Sequence, residues 1–277
     1  MTTLTLTKHH GLGNDFLVLL DVPSHDPAVD LSALARRLCD RRRGLGADGL
    51  LVASPADAGA VRMTLFNADG SRAEMSGNGI RCFAQAIAAE RGDLGDLVVH
   101  TDAGERTVAM VTTDEPDTIM ATVAMGEVAP LHEPADWPAL GCHPDRPVMH
   151  LSLGNPHSVV GVDEVGVVDL LALGGKVPQV NLEIVEPGPE ATAITMRVHE
   201  RGAGITEACG TGACAAAFAA RSWGLVASSS NEVIVHMDGG TATVGFDADV
   251  AGRVSLTGPA TLVATIQVEI LGEVELA

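Results

Sequence analysis

Two short glycine-rich motifs in this sequence carry the residue types best suited to acid–base chemistry. They occupy residues 74–79 (EMSGNG) and 207–212 (EACGTG), share the pattern E-x-[SC]-G-x-G-x4-A-x-A and lie 133 residues apart. Ser76 stands in the first copy where Cys209 stands in the second. Glycine lets the backbone approach a ligand closely, and the free N–H groups of a helix's first turn form an anion site. Each motif therefore predicts a ligand-binding helix N-terminus.

A second repeat strengthens the relation between the two halves. Leu12-Gly13-Asn14 recurs as Leu153-Gly154-Asn155, at an offset of 141 residues. Two repeats in the same order favour a duplicated domain. A pseudo-twofold relation would place Ser76 and Cys209 on opposite sides of one cleft. A helix N-terminus favours the thiolate, so Cys209 is a candidate base or nucleophile, with a buried structural cysteine as the alternative.

The elements that must position these motifs are many short strands and a few helices. Alternating apolar residues predict strands over 3–7 and 261–270, and residues 233–246 predict a hairpin with its turn at 238–240. Asp30 can cap a helix that begins with Leu31. The stretches 77–90 and 210–221 are apolar on nearly every side, which predicts fully buried helices. This combination indicates an α+β fold.

Composition narrows the function classes. The 277 residues include 17 Lys+Arg against 36 Asp+Glu, a net charge of −19 that argues against nucleic acid as a partner. No apolar run approaches the roughly 18–20 residues that span a bilayer. The N-terminus lacks a signal-peptide core, and the five cysteines are too few and odd in number for a disulfide scaffold. We therefore expect a cytoplasmic protein with no membrane partner.

Other chemistries match the sequence poorly. There is no G-x-x-x-x-G-K-[ST] phosphate loop, and neither glycine motif fits a dinucleotide fingerprint. Zinc would need a second Cys/His pair near Cys209 and Cys214, so no metal site is predicted. Asp40 and the arginines at 41–43 suggest a solvated helix end. The proline-rich stretch 130–147 is the best candidate for a linker or long loop.

The motifs taken together resemble the diaminopimelate epimerase family. The matching segments, in that family's order, are 11–16 (GLGNDF), 67–70 (NADG), 77–82 (GNGIRC), 154–157 (GNPH), 200–202 (ERG) and 209–212 (CGTG). The resemblance implies a cofactor-independent enzyme that converts LL-diaminopimelate to the meso form in lysine and peptidoglycan synthesis. It also implies two pseudo-twofold-related lobes, each a curved mixed or antiparallel sheet around a buried central helix. We expect these lobes to be residues 1–118, completed by a C-terminal strand at 264–277, and residues 119–263.

The resemblance also implies roles for individual residues. In the family two cysteines face each other across the substrate Cα, one removing the proton and the other returning it to the opposite face; the second falls at Cys209. His157 and Glu200 correspond to the polar residues beside the two reacting groups, and Ser76 takes the first cysteine's position. The residues expected to hold a small amino-acid substrate are Asn14, Asn67, Gly77, Asn78, Asn155, Asn181, Glu200, Arg201, Gly210 and Thr211. The resemblance leaves open whether the protein forms a homodimer.

The serine at position 76 is a departure from the family motif C-G-N-G. A thiol titrates near ~8.5 and an alcohol near the ~15.7 of water, a gap on the order of 10 kcal/mol that a helix terminus cannot offset. Cys82, about 240° round the helix, is no easy substitute. Four interpretations follow: Ser76 relays a proton for His157; the chain is a related racemase-superfamily enzyme such as a dehydratase; it binds an amino acid without catalysis; or the serine is engineered. We rank the relay first. A Ser–Cys pair also cannot close an active-site disulfide.

A second departure is Gly49, where many family members carry Gln. We expect the loss of one substrate-contacting amide, which bears on specificity for the distal end of the substrate.

Overall fold

The computed structural model describes residues 2–21 and 30–270, and in these ranges four short α-helices lie among seventeen strands. This confirms the predicted α+β class. The described residues divide into two compact units: one runs to Val123 and resumes at Pro259, and the other is Ala124–Gly258. The limits predicted from the sequence are 118/119 and 263/264; part of the predicted C-terminal strand, 271–277, lies outside the described residues.

Ten helices and strands begin in the first segment of the first unit, and the last of them continues past Val123 into the second unit. They are β1 (Thr2–Gly11), β2 (Asn14–Leu19), α1 (Leu31–Cys39), β3 (Gly49–Pro55), β4 (Val61–Asn67), β5 (Arg72–Ala73), α2 (Gly77–Arg91), β6 (Leu97–Thr101), β7 (Gly104–Thr112) and β8 (Thr118–Glu127). A 3-10 turn occupies Asp57–Gly59. The N-terminal cap predicted for the first helix is confirmed, because the Asp30 carboxylate accepts from the backbone N–H groups of Ser32 and Ala33.

The remaining elements begin in the second unit, and the last of them belongs to the first unit from Pro259 onward. They are β9 (Ala129–Pro130), β10 (Val148–Ser152), β11 (Pro156–Gly161), α3 (Leu170–Gly174), β12 (Asn181–Pro187), β13 (Ala193–Glu200), β14 (Gly204–Thr206), α4 (Gly210–Trp223), β15 (Glu232–Met237), β16 (Gly240–Phe246) and β17 (Arg253–Ile270). Two 3-10 turns lie at Trp137–Leu140 and Val165–Val167. The predicted hairpin is confirmed, with Met237 paired to Gly240 across a two-residue loop.

The order of strand pairing is the same in both units. In the first, β1 and β2 are antiparallel, β2 and β3 parallel, β3 and β4 antiparallel, β4 and β6 parallel, and β6, β7 and β8 successively antiparallel. In the second unit the successive pairs have the same six orientations in the same order, along β10, β11, β12, β13, β15, β16 and β17. The C-terminal half of β17 then pairs antiparallel with β1, as Thr2 opposite Ile270. The strands of each unit thus pair in a mixed way, some parallel and some antiparallel.

One long helix lies against the sheet of each unit. In α2 every residue from Gly77 to Ala88 is buried, and in α4 nearly every residue from Gly210 to Ala220 is. Both helices end at a glycine in the left-handed conformation, Gly92 with φ 74° and Gly224 with φ 78°. The prediction of two fully buried helices is confirmed. Among the described residues, no helix has the length and apolar character needed to cross a membrane.

The proline-rich stretch 130–147 is not a linker. It lies wholly within the second unit, and its Trp137 and Leu140 pack into that unit's core beside Val160 and Leu182. Burying a Trp and a Leu stabilises the fold by several kcal/mol, about 1.5–3 for each large apolar side chain, which fixes the segment against the strands. The sequence interpretation was therefore wrong on the linker alternative.

Candidate active site

Ser76 is the N-terminal cap of α2. Its backbone is extended (φ −134°, ψ 124°), and its Oγ accepts a hydrogen bond from the N–H of Gly79 at 3.0 Å. A Cβ atom on Gly79 would lie 3.1 Å from the Ser76 Cβ, so a side chain at position 79 would crowd the cap. An oxygen that accepts in this way can still donate its own hydrogen.

Cys209 caps α4 in the same geometry. Its backbone is extended (φ −128°, ψ 115°), and its Sγ accepts from the N–H of Gly212 at 3.3 Å. A Cβ on Gly212 would meet Sγ at 3.2 Å and the Oε1 atom of Glu183 at 2.7 Å. The repeated motif thus has a structural explanation: its third residue caps a buried helix, and its last glycine makes room for that cap.

The predicted residues of the first unit that lie beside Ser76 are linked by side-chain amides. Asn78 donates from Nδ2 to Oδ1 of Asn14 at 3.3 Å, and Asn14 donates from its own Nδ2 to Oδ2 of Asp48 at 2.6 Å. The guanidinium of Arg81 donates to Oδ1 of Asn78 at 2.9 Å and, like Asn78, is buried. Both amides are therefore held in fixed orientations at the start of α2.

Arg41 belongs to this network and is not simply a solvated helix end. Its guanidinium contacts Asp15 at 2.6 Å and Asp48 at 2.8 Å, and Lys8 lies 2.9 Å from the same Asp15 carboxylate. Burial alone would raise the pKa of Asp15, but hydrogen bonds from Arg41 and Lys8 outweigh it and lower that pKa. The expected solvated helix end is confirmed, since Arg41 is exposed, and Arg41 also binds these two aspartates.

Asn67 and Gly49 lie opposite each other at the ends of β4 and β3. The Asn67 side chain is exposed and donates to Oγ of Ser71 at 3.0 Å. A Cβ on Gly49 would lie 2.7 Å from the carbonyl oxygen of Phe66. A glutamine therefore cannot enter here unless a strand moves, and Gly49 fits this backbone as it stands.

In the second unit a continuous row of polar contacts reaches Cys209. His157 Nδ1 lies 2.6 Å from Glu183 Oε1, and His157 Nε2 lies 3.0 Å from Asn155 Oδ1. Asn155 donates from Nδ2 to Oγ1 of Thr211 at 3.2 Å, and that oxygen lies 3.6 Å from the Cys209 sulfur. The His157 and Glu183 side chains are fully buried. Four predicted site residues thus lie in one row of contacts, which ends at Glu183, a residue that was not predicted.

The thiol of Cys209 is not held as a thiolate in this structure. Burial raises its pKa well above the ordinary value, and the negative charges of Glu200 and Glu183 raise it further. Hydrogen bonds from Thr211 and Gly212 act in the opposite direction and are weaker. The expectation that the helix terminus favours the thiolate is overturned for the free protein, because desolvation outweighs the helix dipole.

The remaining predicted residues lie at the ends of β12 and β13. Asn181 is buried, donates to the carbonyl of Pro156 at 3.1 Å and accepts from the backbone N–H of Arg201 at 2.8 Å. Glu200 accepts from Oγ1 of Thr206 at 2.5 Å, and the Arg201 side chain is exposed. Asn181 therefore holds the backbone at Arg201 in place.

The predicted site residues divide between the two units. The first unit contains Asn14, Asn67, Ser76, Gly77 and Asn78; the second contains Asn155, His157, Asn181, Glu200, Arg201, Cys209, Gly210 and Thr211. Over residues 2–21 and 30–270, no cluster of three or more His, Cys, Asp or Glu side chains is placed to hold a metal ion. Burial raises the pKa of Cys82 to about 12, so this thiol is a poor base.

Three charged residues that orient these side chains were not predicted: the buried Arg81 and Glu183, and Asp48, whose side chain is 39% exposed. A signal for two of them is present in the sequence. Arg81 is a lone charge in the otherwise apolar first turns of α2, and Glu183 is a lone charge between Leu182 and Ile184 in β12. A charge that folding buries needs a partner, which makes such positions candidates for a site.

The fold is shared with two solved structures. A phenazine biosynthesis protein of the PhzF family from Bacillus anthracis superposes with a TM-score of 0.76 at 15% identity, over 98% of this chain and 100% of that one. A predicted epimerase from Pseudomonas aeruginosa gives 0.74 at 18% identity, over 97% and 99%. At such low identity these likenesses define the fold class: the chain has the two-unit α+β fold of the PhzF-like proteins.

Sequence similarity defines the family within that class. The family model for diaminopimelate epimerase matches residues 6–130 and 149–263. The diaminopimelate epimerase of Geobacillus kaustophilus is 36% identical, over 96% of this chain and 96% of its own length. The chain therefore belongs to the diaminopimelate epimerase family. The unmatched interval, 131–148, coincides with the proline-rich segment.

Proposed function

We propose that this protein interconverts LL- and meso-diaminopimelate in lysine biosynthesis, by removing the proton at Cα and returning a proton to the opposite face. Family membership over nearly the whole chain supports the reaction. The observation that carries the mechanism is the pair of matched caps, Ser76 on α2 and Cys209 on α4, each beside a first helical turn of N–H groups.

The two helix starts would hold the reacting α-carboxylate. An amino-acid Cα–H is a very weak acid, so the charge that develops on the carboxylate in the transition state must be met by N–H dipoles already in place. Gly77 and Asn78 supply them from α2, and Gly210 and Thr211 from α4. We place the two starts on opposite sides of one Cα; the repeated order of strand pairing supports this pseudo-twofold relation.

Cys209 would exchange the proton on its face of Cα. The Cα proton passes to the sulfur when Cys209 acts as a base, and the S–H proton passes to the carbanion in the reverse direction. The substrate α-ammonium brings a positive charge into the site, which lowers the pKa of Cys209 against the burial and the carboxylates that raise it in the free protein. Glu200 is the flanking carboxylate on this side.

Ser76 would serve the other face as a relay. Its hydroxyl passes one proton to Cα and takes one from the imidazolium of His157, so that no free alkoxide is required. Both His157 nitrogens have partners within the second unit, so Nε2 must leave Asn155 during this step. The scheme uses neither pyridoxal phosphate nor a metal.

The remaining residues would hold the rest of the substrate. Asn14, Asn67 and Asn155 offer amides that fix a zwitterion without adding charge, and Arg201 offers a guanidinium for the distal carboxylate. Asn181 contributes by holding Arg201 in place. A cytoplasmic location and a homodimer stay predictions from the sequence.

The test is solvent exchange. Purified protein incubated with LL-diaminopimelate in D2O should yield meso product labelled with deuterium at Cα, and Cys209→Ser should abolish the label. Cys214→Ser, which alters another buried thiol of α4, is the matched control and should retain exchange. Exchange that survives in Cys209→Ser removes Cys209 from its role, and no exchange in the wild type removes the epimerase function.

A further inference from the structure

Each hydrogen bond along the row Glu183–His157–Asn155–Thr211–Cys209 has a donor and an acceptor, and the choice at one residue fixes the choice at the next. Glu183 Oε1 and Asn155 Oδ1 are both acceptors, and they lie 2.6 Å and 3.0 Å from the two ring nitrogens of His157. A histidine between two acceptors must carry a proton on each nitrogen. An Asn155 amide turned with its carbonyl toward His157 therefore requires an imidazolium.

The same direction continues to the thiol. With its carbonyl turned to His157, Asn155 donates from Nδ2 to Thr211 at 3.2 Å. The Thr211 hydroxyl then has its own hydrogen for the Cys209 sulfur, which also accepts from Gly212 N–H at 3.3 Å. In this direction the row supplies two donors to the sulfur, which act against the burial and the carboxylates that keep it a thiol in the free protein.

A second, opposite direction fits the same positions. If Nε2 of His157 loses its proton it becomes an acceptor, and the Asn155 amide must turn so that its NH2 group donates to it. The Asn155 carbonyl then accepts from the Thr211 hydroxyl, whose oxygen accepts from the Cys209 S–H group. The two directions correspond to thiolate with imidazolium and to thiol with neutral imidazole, the states before and after one proton transfer in the proposed function on which this inference rests.

Only one of the His157 nitrogens can change in this scheme. Glu183 Oε1 serves as the acceptor toward Nδ1 in both states. Burial raises the pKa of the Glu183 carboxyl, while the charge and hydrogen bond of His157 lower it, and a proton on Oε2, which has no hydrogen-bond partner among the described residues, would leave Oε1 an acceptor. We propose that Glu183 is a positioning residue that keeps the proton on His157 Nδ1 and thereby leaves Nε2 as the nitrogen whose hydrogen-bond role can change. The protonation of Nε2 then sets the Asn155 amide and, through Thr211, whether the row donates to Cys209 or accepts from it.

Replacing this carboxylate has a defined consequence. In Glu183→Gln the amide can donate to Nδ1, which moves the single proton of neutral His157 to Nε2. Nε2–H then holds the Asn155 carbonyl toward the ring at every pH, and Thr211 donates to Cys209 permanently. The groups that face Cys209 are Glu200, Glu183 and Thr211, with His157 next in the row. The Glu183 charge raises the pKa of Cys209, so its loss in Glu183→Gln lowers that pKa. Both effects favour the thiolate.

The first measurement is the 15N NMR titration of the His157 ring in the unmodified protein. Nδ1 should stay protonated from about pH 6 to about pH 9, and any change in protonation of the ring should be at Nε2. In Glu183→Gln the Nε2–H form should appear at about pH 8. Loss of the Nδ1 proton in the wild type, or an unchanged Nδ1–H form in Glu183→Gln, overturns the proposal. The wild-type arm stands even if the variant fails to fold, and neither arm needs turnover.

The second measurement is the pH midpoint of iodoacetamide alkylation at Cys209, followed on its peptide. Glu183→Gln should lower the midpoint, and by clearly less in a Thr211→Val background, where the row is cut. Equal shifts in the two backgrounds would mean that Glu183 acts only through space and would overturn the proposal. Glu186→Gln is the matched control and should not move the midpoint. Glu186 lies on the same strand as Glu183, and its Oε2 accepts a hydrogen bond from the backbone N–H of Val165 at 2.6 Å.

Discussion

The hydroxyl oxygen of Ser76 accepts a hydrogen bond from the backbone N–H of Gly79 at 3.0 Å, so the side chain that departs from the family motif occupies a regular cap position. Cys209 makes the same bond with Gly212 at 3.3 Å, which shows that this geometry also accepts a sulfur atom. The departure at position 76 is therefore one of acidity and not of shape.

Ser76→Cys should raise kcat/KM for diaminopimelate by about tenfold or more at about pH 7–8, because a thiol is far more acidic than an alcohol. The measurement is the epimerisation rate against substrate concentration. Ser54→Cys, which adds a thiol in strand β3, should leave the rate unchanged. An unchanged or lower rate in Ser76→Cys would count against the relay.

Glu200→Gln should shift alkylation of Cys209 to lower pH. Burial is the largest cause of the raised pKa of Cys209 and the Glu200 charge is the next, so removing that charge lowers the pKa. Because the thiolate reacts and the thiol does not, the rate curve moves to lower pH. Iodoacetamide labelling with peptide mass spectrometry separates Cys209 from the less buried Cys142. Glu207→Gln, an exposed carboxylate two residues before Cys209, is the control; a shift to higher pH in Glu200→Gln would contradict the assignment.

Asp15→Asn should lower the free energy of unfolding by about 1–3 kcal/mol at neutral pH, because it leaves Lys8 and Arg41 without their shared partner. Since folding lowers the pKa of Asp15, its contribution is present above the unfolded value near ~3.9 and is lost as pH falls through the folded value. Urea unfolding should therefore show a constant gap between variant and wild type from about pH 8 to 5, closing below about pH 4.

The control for that prediction is Asp102→Asn. Its ion pair with Arg72 at 2.7 Å is solvent-exposed, and such pairs contribute about 0–1 kcal/mol. A gap as large as that of Asp15→Asn, or a gap in Asp15→Asn that widens toward low pH, would rule out the proposed stabilising role of the Asp15 network.

Gly49→Gln should destabilise the protein by about 1–3 kcal/mol instead of improving substrate binding, because its Cβ would meet the Phe66 carbonyl oxygen at 2.7 Å. Gly49→Ala should show most of the same loss, since the clash is made by Cβ. Thermal unfolding measures both. Gly166→Ala, with no atom within 4 Å of the added Cβ, should be neutral. A stable Gly49→Gln with a lower KM would show that the strand end can move.

The repeated motif was readable from sequence because its cause is local. A cap and the glycine three residues later act within one turn of helix, so Ser76 with Gly79 and Cys209 with Gly212 leave the same pattern in both copies. The apolar surroundings of both helices were equally readable, because burial on every side removes polar residues from every helical face.

The partners of the buried charges were not readable, because they come from distant parts of the chain. Glu183 pairs with a histidine 26 positions before it, and the buried Asp15 with an arginine 26 positions after it, contacts that only the tertiary fold creates. The depressed acidity of Cys209 has the same origin. A helix start in the sequence predicts a favoured thiolate, while the burial and the two carboxylates that reverse this effect come from β12 and β13.

The pairing of β1 with the C-terminal half of β17 has a consequence for synthesis of the chain. Leu4 is made well before its partner Val268, which lies in the last strand described. The leading unit therefore waits with an open edge while the trailing unit, whose own strands are contiguous in sequence, can already form. Nascent chains that stall before β17 is made should expose that edge, and a deletion that removes β17 should harm the unit that was translated earlier.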